Sequence, residues 1–259
     1  MRLVLVGWGA IGAEVARLLR ARNAPVDLVA VAVRTARHGL PYPLITDPSQ
    51  LAALSPDLVV EAAGRAAVMP WGEAALAAGA DFAPASTSAF AEDGNLDRLL
   101  GLARQHGRQI VIPPGAVGGM DALSAAARLP LAKVTHEITK AALAWQGTAA
   151  EAACDLAHLT APMCFFEGSA RDAARHYPQN ANVALITALA GLGPDATTLR
   201  LIADPAASGN RHRIIARGDF GRMEITLDNL PLADNPKSSA LTALSLLRLI
   251  ENRASPLVI

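Results

Sequence analysis

The sequence predicts an α/β protein in which a doubly wound parallel sheet is followed by an inserted α+β domain. Short aliphatic runs alternate with segments of helical periodicity through the first 115 residues, as in proteins built from βαβ units. A glycine-rich turn directly follows the first aliphatic run. After Pro113-Pro114, some of the strand-like segments alternate apolar and polar residues, which is typical of an antiparallel sheet with one solvated face.

The first part of the chain supplies the parallel sheet. Apolar runs too short for a helix predict strands at residues 3–6, 26–33, 58–62 and 109–112. Apolar residues at helical spacing predict helices at residues 10–20 and 96–106.

The second part has a different character. Strands are predicted at residues 134–145, 211–215 and 223–227, and helices at 149–159 and 182–192. A last long helix is expected at 238–251, because Asn235-Pro236 is a helix-start signal. We therefore expect one domain formed by residues 1–115 and 235–259, and an inserted domain formed by residues 116–234.

Composition narrows the class of protein. The 23 basic and 23 acidic side chains balance to a formal charge of zero, which argues against a nucleic-acid-binding protein. No run reaches the roughly 20 apolar residues of a membrane span, and glycines interrupt the apolar N-terminus, so a cytoplasmic protein is expected. Cys154 and Cys164 are expected to be reduced, and no zinc-ligand spacing surrounds them, so no metal is expected.

A complete G-x-G-x-x-G motif occupies residues 7–12, after a predicted strand and at the start of a predicted helix. In that context the motif predicts a Rossmann domain that holds a dinucleotide's pyrophosphate at the helix N-terminus. The alternative is a tight turn without a ligand. The residues assigned to this cofactor site are Gly7, Gly9, Ala10, Ile11 and Gly12.

The end of the second strand bears on cofactor choice. An acidic residue roughly 20 positions after the glycines is usual where NAD is bound, but this chain has Arg34-Thr35-Ala36-Arg37. Arg34, Thr35 and Arg37 suit the 2′-phosphate of NADP. The sequence thus favours NADP over NAD, unless the loop is only a solvated charged segment.

Several blocks together give a more specific indication. They are 114–121 (PGAVGGMD), 166–171 (FEGSAR), 177–183 (YPQNANV), Ala203-Asp204-Pro205, 210–214 (NRHRI) and 235–239 (NPKSS). With these blocks in this order, the chain resembles the L-aspartate dehydrogenases from end to end. The resemblance implies NAD(P)-dependent oxidative deamination of L-aspartate, or reductive amination of oxaloacetate with ammonia. It also implies a homodimer and a supply of iminoaspartate to NAD biosynthesis.

The resemblance also suggests roles for individual residues. The family's active-site histidine matches His212, and its nicotinamide-side contacts match Ala116 and Asn182. Where the family often has Lys-Pro-Pro, this chain has Lys140-Ala141-Ala142, which puts in doubt a role for Lys140 in substrate binding. Arg34 replaces the acidic residue that many members carry.

The chemistry independently calls for a base. Oxidising an amine by hydride transfer requires a group of near-neutral pKa to accept a proton, and histidine meets this requirement. Among the six histidines, His212 is favoured, where a loop is expected to enter a strand, and His176 is the reserve candidate. The remaining histidines are interpreted as structural or surface residues: His38, His106, His136 and His158.

Other polar residues have two interpretations each. Asn180 and Asn182 either cap the following helix or present an amide to the nicotinamide or a substrate carboxylate. Lys237, expected to open the last helix beside Ser238, is either an anion-binding residue or an ordinary exposed lysine. The Ser86-Thr87-Ser88 run either lines the cleft or forms a turn. Ala116 is expected to contribute backbone, its neighbouring glycines allowing close approach to the nicotinamide.

The leading hypothesis is an aspartate dehydrogenase with His212 as the general base. A related Rossmann reductase acting on a semialdehyde or a cyclic imine is the first alternative. A non-catalytic regulator that binds NADP is the second.

Overall fold

The structure is a computed structural model that describes residues 1–35, 39–232 and 235–259, without the side chains of Gln179, Pro236, Lys237 and Ser238. Contacts divide the chain into two compact units. The first unit comprises Met1–Gly115, Leu232–Ser238 and Thr242–Ile259, and the second comprises Ala116–Pro231 and Ser239–Leu241.

In chain order, the strands of the described residues are β1 (Arg2–Val6), β2 (Asp27–Ala32), β3 (Leu44–Ile45), β4 (Leu58–Glu61), β5 (Asp81–Pro84), β6 (Leu131–Ala141), β7 (Met163–Ser169), β8 (Thr198–Asp204), β9 (Asn210–Gly218), β10 (Gly221–Asn229), β11 (Pro231–Leu232) and β12 (Asn235–Ser239). The α-helices are α1 (Ala10–Ala21), α2 (Leu51–Leu54), α3 (Arg65–Ala77), α4 (Asn95–His106), α5 (Met120–Ala126), α6 (Ala150–Ala153), α7 (Ala170–His176), α8 (Ala181–Ala190) and α9 (Ala240–Ala254).

The first unit contains a parallel sheet with the strand order β3-β2-β1-β4-β5. The chain moves outward from β1 in one direction and then in the other, so β1 and β4 flank the point where the order reverses. In open α/β sheets, ligands bind at the carboxyl ends of the strands beside this point. The predicted doubly wound sheet is confirmed.

Apolar side chains from the sheet, α1 and α9 form the core of the first unit. Leu3 and Leu5 of β1 pack with Val15 of α1 and with Leu246 and Ile250 of α9, and all five side chains are buried. Burying side chains of this kind stabilises a fold by about 1.5–3 kcal/mol each. The last helix therefore belongs to the core of the domain that opens the chain.

The second unit contains a mixed sheet with the order β10-β9-β6-β8-β7. β6 pairs parallel with β8, and the other neighbours are antiparallel. Helix α8 packs against β6. The predicted α+β character is thus present, although the sheet also contains one parallel pair.

Ion pairs link neighbouring strands of this second sheet. Glu137 of β6 accepts hydrogen bonds from Arg200 of β8 and from Arg213 of β9. Arg213 also pairs with Glu224 of β10 at 2.6 Å. Because side chains alternate along a strand, Glu137 and Arg213 point away from the face that carries their neighbours His136 and His212.

Four predicted elements need correction. Residues 142–145 form a 3₁₀ turn rather than the end of a strand, which lets the indole of Trp145 donate to the carbonyl of Ile202 at 3.1 Å. Residues 109–112 form a single parallel bridge, Phe82 to Ile110, beside β5.

The helix predicted at 149–159 is only the one turn of α6. Cys154 is extended, and the Asp155 side chain accepts from the N–H of Ala157 at 3.2 Å. This local bond competes with helical hydrogen bonding. Similarly, the last helix begins at Ala240 rather than at residue 238, because β12 pairs with β11 and Ser239 Oγ accepts from the N–H of Leu241.

No described helix is long and apolar enough to cross a membrane. Within the described ranges, no group of three or more histidine, cysteine or acidic side chains is arranged to hold a metal ion. Cys154 and Cys164 are free thiols.

Candidate active site

The glycine motif forms the turn between β1 and α1. Gly7 has φ of +104°, and a Cβ built there would lie 2.8 Å from the carbonyl carbon of Ala62. A Cβ on Gly12 would lie 2.2 Å from the carbonyl oxygen of Gly7. Backbone atoms block both positions, so the fold itself requires glycine there.

Gly9 differs from these two glycines. It has ordinary extended backbone angles, it is exposed, and a Cβ built there meets nothing within 4 Å. The first helical bond of α1 joins the N–H of Ala13 to the carbonyl of Gly9, so the preceding N–H groups, including those of Ala10 and Ile11, have no acceptor within the helix. Open space beside these donors fits a dinucleotide's pyrophosphate.

The loop expected to determine the preference between NADP and NAD begins at the same edge of the sheet. The N–H of Gly7 donates to the carbonyl of Ala32, the last residue of β2, at 2.8 Å. After Val33 come Arg34 and Thr35, which are exposed. Arg37 lies outside the described residues, as does His38.

This edge of the sheet also contains a buried acidic residue, Glu61, which the sequence analysis does not single out. The carboxylate of Glu61, at the end of β4, accepts from the N–H groups of Ala63 and Gly64 at 2.7 Å each. It also accepts from the N–H and the hydroxyl of Ser86. Burial raises the pKa of Glu61, and these hydrogen bonds oppose that rise. Glu61 thereby ties the loop after β4 to the loop after β5.

The predicted Ser86-Thr87-Ser88 site takes part in this arrangement. All three residues are buried, and Thr87 begins a 3₁₀ turn that ends at Ala91. The serine that follows β5 therefore supports a neighbouring loop through Glu61.

In the second unit, His212 is the third residue of β9, inside the strand rather than at its entrance as expected. It is buried, with 4% of its surface exposed. The register pairs His212 with Ile138 and Ile214 with His136. His136 and His212 therefore lie diagonally opposite each other on one face of two neighbouring strands.

A chain of hydrogen bonds begins at His212. Its Nδ1 lies 3.1 Å from Nε2 of His136, and Nδ1 of His136 lies 3.0 Å from the hydroxyl oxygen of Thr187 on α8. The Thr187 hydroxyl donates to the carbonyl of Val183 at 3.1 Å. The interpretation of His136 as an isolated structural histidine therefore misses its direct contact with the candidate base.

The surroundings keep both histidines neutral. Burial, with a smaller contribution from the charge of Lys140, lowers the pKa of His212 to about 4. Burial, followed by the influence of His212, lowers the pKa of His136 well below its usual range. The sequence predicts a base of near-neutral pKa, whereas this environment keeps the imidazole of His212 unprotonated throughout the neutral range.

Lys140 carries the charge that acts on His212. It lies on β6 four residues after His136, so its side chain leaves the same face of the strand. Its ammonium group lies 4.8 Å from the ring centroid of Trp145. Burial lowers the pKa of Lys140 to about 8. The alanines that follow it do not prevent β6 from presenting a partly desolvated cation near His212.

Asn180 does not cap the following helix with its side chain, which was the first of its two interpretations. It is the N-cap residue of α8, yet its side chain makes no capping hydrogen bond. It is 5% exposed, and its amide nitrogen has no hydrogen-bond partner among the described residues. Asn182 lies in the first turn of α8 with an exposed side chain. A buried amide donor without an acceptor fits a carboxylate or carboxamide.

The loop before α5 packs within its own unit. The carbonyl of Ala116 accepts from the Asn229 side chain at 2.6 Å. A Cβ on Gly119, at φ +70°, would lie 2.0 Å from Ile225 Cδ1. Gly118 similarly approaches Leu227. These glycines thus allow close packing on β10, which is a different reason from the predicted approach to the nicotinamide.

The reserve candidate for the base is a surface residue. His176 is exposed, with Nδ1 2.8 Å from the carbonyl oxygen of Asp172. Lys237 and Ser238 lie in β12, before the last helix rather than at its start, and their side chains are outside the described part of the chain. His158, expected on a helix, follows α6 and pairs with Asp155.

Two family models match this chain. Residues 7–113 match the family model "Homoserine dehydrogenase, NAD binding domain". Residues 121–253 match "Aspartate dehydrogenase, C-terminal". The crystal structure of aspartate dehydrogenase from Thermotoga maritima has a TM-score of 0.82 and covers 100% of this chain and 99% of its own, at 24% identity. That likeness shows a shared fold.

Relatives of higher identity show the family. The L-aspartate dehydrogenase of Brucella anthropi is 55% identical, with 99% of this chain and 98% of the relative covered. That of Pseudomonas aeruginosa is 45% identical, with 98% of each covered. The predicted Rossmann domain and the predicted use of NAD or NADP are confirmed. From its glycine motif to its last helix, the chain belongs to the L-aspartate dehydrogenase family.

Proposed function

We propose that this protein catalyses the NAD(P)-dependent oxidative deamination of L-aspartate to iminoaspartate, which water converts to oxaloacetate and ammonia, and the reverse reductive amination. The observation that carries the proposal is the buried His212, whose Nδ1 contacts His136 at 3.1 Å, in a chain 55% identical to an L-aspartate dehydrogenase over 99% of its length.

The cofactor, when bound, supplies the acceptor for the hydride that leaves the substrate's α-carbon. Gly7, Gly9, Ala10, Ile11 and Gly12 would hold its pyrophosphate at the start of α1. Ala116 and Asn182 would contact its nicotinamide side, as the family resemblance implies.

His212 is the proposed general base. With Nδ1 directed at His136, Nε2 is the ring nitrogen left to meet the substrate. It accepts a proton from the substrate ammonium or from the water that attacks the iminium carbon. Positioned proton transfer of this kind contributes typically about 10²- to 10⁴-fold to the rate.

The two substrate carboxylates need donors, and Lys140 and Asn180 are the proposed ones. Lys140 offers an ammonium whose electrostatic influence reaches His212, and Asn180 offers its buried amide without a partner among the described residues. The charge of Lys140 helps to lower the pKa of His212. A carboxylate bound to Lys140 would offset that charge, so substrate binding would raise the pKa of the base towards neutrality. Lys237 and Ser238 remain further candidates for substrate binding.

The preferred cofactor is proposed to be NADP. Arg34 and Thr35 are exposed in the loop after β2. A guanidinium there forms charge-assisted hydrogen bonds with a 2′-phosphate rather than with ribose hydroxyls. Arg37 is proposed as a second phosphate contact. NAD remains a usable cofactor in this scheme.

The roles of the two units and the cellular role of the enzyme are proposed from the family resemblance. The first unit binds the cofactor, and the second binds the substrate and forms a homodimer. A cytoplasmic enzyme that supplies iminoaspartate to NAD biosynthesis is the proposed setting.

The direct test is reduced-nicotinamide absorbance in the presence of oxaloacetate, run with NADPH and with NADH. We expect consumption only when ammonium is present, and faster consumption with NADPH. Consumption without ammonium would instead indicate a carbonyl reductase. Binding of NADPH without any turnover would favour another imine or carbonyl substrate, or a regulator.

A further inference from the structure

A buried chain of three hydrogen bonds connects the backbone of α8 to the candidate base. The contacts join Val183 O to Thr187 Oγ1, Thr187 Oγ1 to His136 Nδ1, and His136 Nε2 to His212 Nδ1, at 3.1, 3.0 and 3.1 Å. Thr187 and His136 are fully buried. Bulk solvent therefore does not reach either group, and the loss of one partner would leave the other without its hydrogen bond.

Counting hydrogens along this chain fixes their positions. A carbonyl oxygen only accepts, so the Thr187 hydroxyl must donate its single hydrogen to Val183. The hydroxyl oxygen then accepts from His136, which places the hydrogen of that ring on Nδ1. Neutral His136 has no second hydrogen, so its Nε2 accepts and His212 Nδ1 must donate.

Both rings must be neutral for this count to hold. Burial is the largest influence on each ring, and it lowers the pKa of His212 to about 4 and that of His136 well below its usual range. At neutral pH each imidazole therefore carries one hydrogen. The hydrogen of His212 is on Nδ1, and its Nε2 carries a free lone pair.

We propose that Thr187 and His136 are positioning residues that hold His212 in the Nδ1–H tautomer, so that Nε2 is permanently available to accept the substrate's proton. This proposal rests on the proposed function, in which His212 is the base. Neither positioning residue needs to touch the substrate.

The chain also accommodates the proton transfer itself. When a substrate N–H bond breaks and its proton joins Nε2 of His212, the ring becomes an imidazolium with a hydrogen on both nitrogens. Its Nδ1–H continues to donate to Nε2 of His136, and that bond strengthens because the donor is now charged. No proton has to move along the chain, and the reverse step returns the proton from Nε2.

The reversed arrangement satisfies fewer groups. If Thr187 donated to His136, its bond to the Val183 carbonyl would be lost, and His136 would donate from Nε2 to His212. The hydrogen of His212 would then be on Nε2, where it would obstruct proton acceptance. The hydrogen bond from Thr187 to Val183 thus favours the Nδ1–H tautomer of His212, which can accept a proton at Nε2, over the Nε2–H tautomer, which cannot.

Long-range ¹⁵N–¹H correlation spectra of the full-length enzyme at neutral pH test the tautomer directly. We expect the His212 signals to show a protonated Nδ1 and a pyridine-like Nε2, with assignment by comparison with His212→Asn. A protonated Nε2 in the wild-type enzyme would overturn the proposal. The spectrum needs no substrate, so it tests the tautomer even if the oxaloacetate assay fails.

Two variants of Thr187 test the consequence for catalysis. Thr187→Val keeps the shape of the side chain and removes the hydroxyl, so we expect kcat to fall by about 10-fold or more, with KM for L-aspartate and the Kd of NADPH little changed. Thr187→Ser keeps the hydroxyl and should retain the wild-type tautomer and most of kcat. Unchanged kcat and an unchanged His212 tautomer in folded Thr187→Val would contradict the proposal.

Discussion

His136 and His212 contact each other across two antiparallel strands, with Nε2 of one ring 3.1 Å from Nδ1 of the other. The register that pairs Ile138 with His212 places the rings diagonally on one face. Helix α8 packs against β6 and supplies Thr187 to His136. The fold of the second unit thus buries a candidate base and engages one of its two nitrogens.

The pH profile of kcat/KM reports the free enzyme, and two groups in the second unit shape it. His212 must be unprotonated to act, and its pKa is lowered to about 4. We therefore expect no acid limb near pH 6.5, with kcat/KM for L-aspartate level between about pH 7 and about pH 5.5. A limb centred near the ordinary histidine pKa would contradict this account.

At the alkaline end, Lys140 loses its charge as the pH rises through about 8. If its ammonium binds a substrate carboxylate, kcat/KM falls through the same range. Lys140→Met should abolish this limb and raise KM for L-aspartate by about 10- to 100-fold, the worth of a hydrogen bond to a charged group. Lys133→Met, at an exposed position on the same strand, should leave KM unchanged. A normal KM in Lys140→Met would remove Lys140 from the site.

Substitution of two glycines of the motif should have different effects, one on cofactor binding and the other on stability. Gly9→Ala places a methyl group in open space, so the melting temperature should not change, but the Kd of NADPH should rise by about 10-fold or more because the methyl occupies the approach of the pyrophosphate.

Gly12→Ala is the matched comparison. Its Cβ would lie 2.2 Å from the carbonyl oxygen of Gly7, so the free energy of unfolding should fall by about 1–3 kcal/mol or more. Thermal melts and fluorescence titration with NADPH measure both effects. Normal NADPH binding by Gly9→Ala would show that the pyrophosphate does not pass this residue.

Cofactor preference depends on the loop after β2. Arg34→Ala should weaken NADPH binding by about 10-fold, as expected for loss of a charge-assisted contact, and should leave NADH binding nearly unchanged. Arg104→Ala, at an exposed position on α4, is the control. An equal loss for both cofactors would show that Arg34 does not distinguish the 2′-phosphate.

The sequence predicted the first unit well because its signals are local. Short buried strands, helical periodicity and a glycine turn are each readable within a window of several residues. Helix α3 is not among the predicted elements, and it contains Pro70, a residue type that usually interrupts a helix. Strands β7 and β8 were also missed, although the alternating burial of β8 is the ordinary sign of a sheet with one covered face.

The hydrogen-bond partners of His212 are harder to predict from the sequence. His136 lies 76 residues away in the chain, and Thr187 lies 51 residues from His136. A single sequence contains no sign of such contacts. The alternation along β6 does place His136 and Lys140 on one face, and that pattern was the available signal. Glu61 gave no signal beyond an acidic residue at the end of an apolar strand.

The central claim is that His212 is the base of an aspartate dehydrogenase, and the most direct measurement is the turnover of L-aspartate with NADP by His212→Asn. We expect kcat to fall by about 10²-fold or more, with NADPH binding retained, while His158→Ala, a change at a largely exposed histidine, remains near wild type. Near-normal turnover by His212→Asn would contradict the claim.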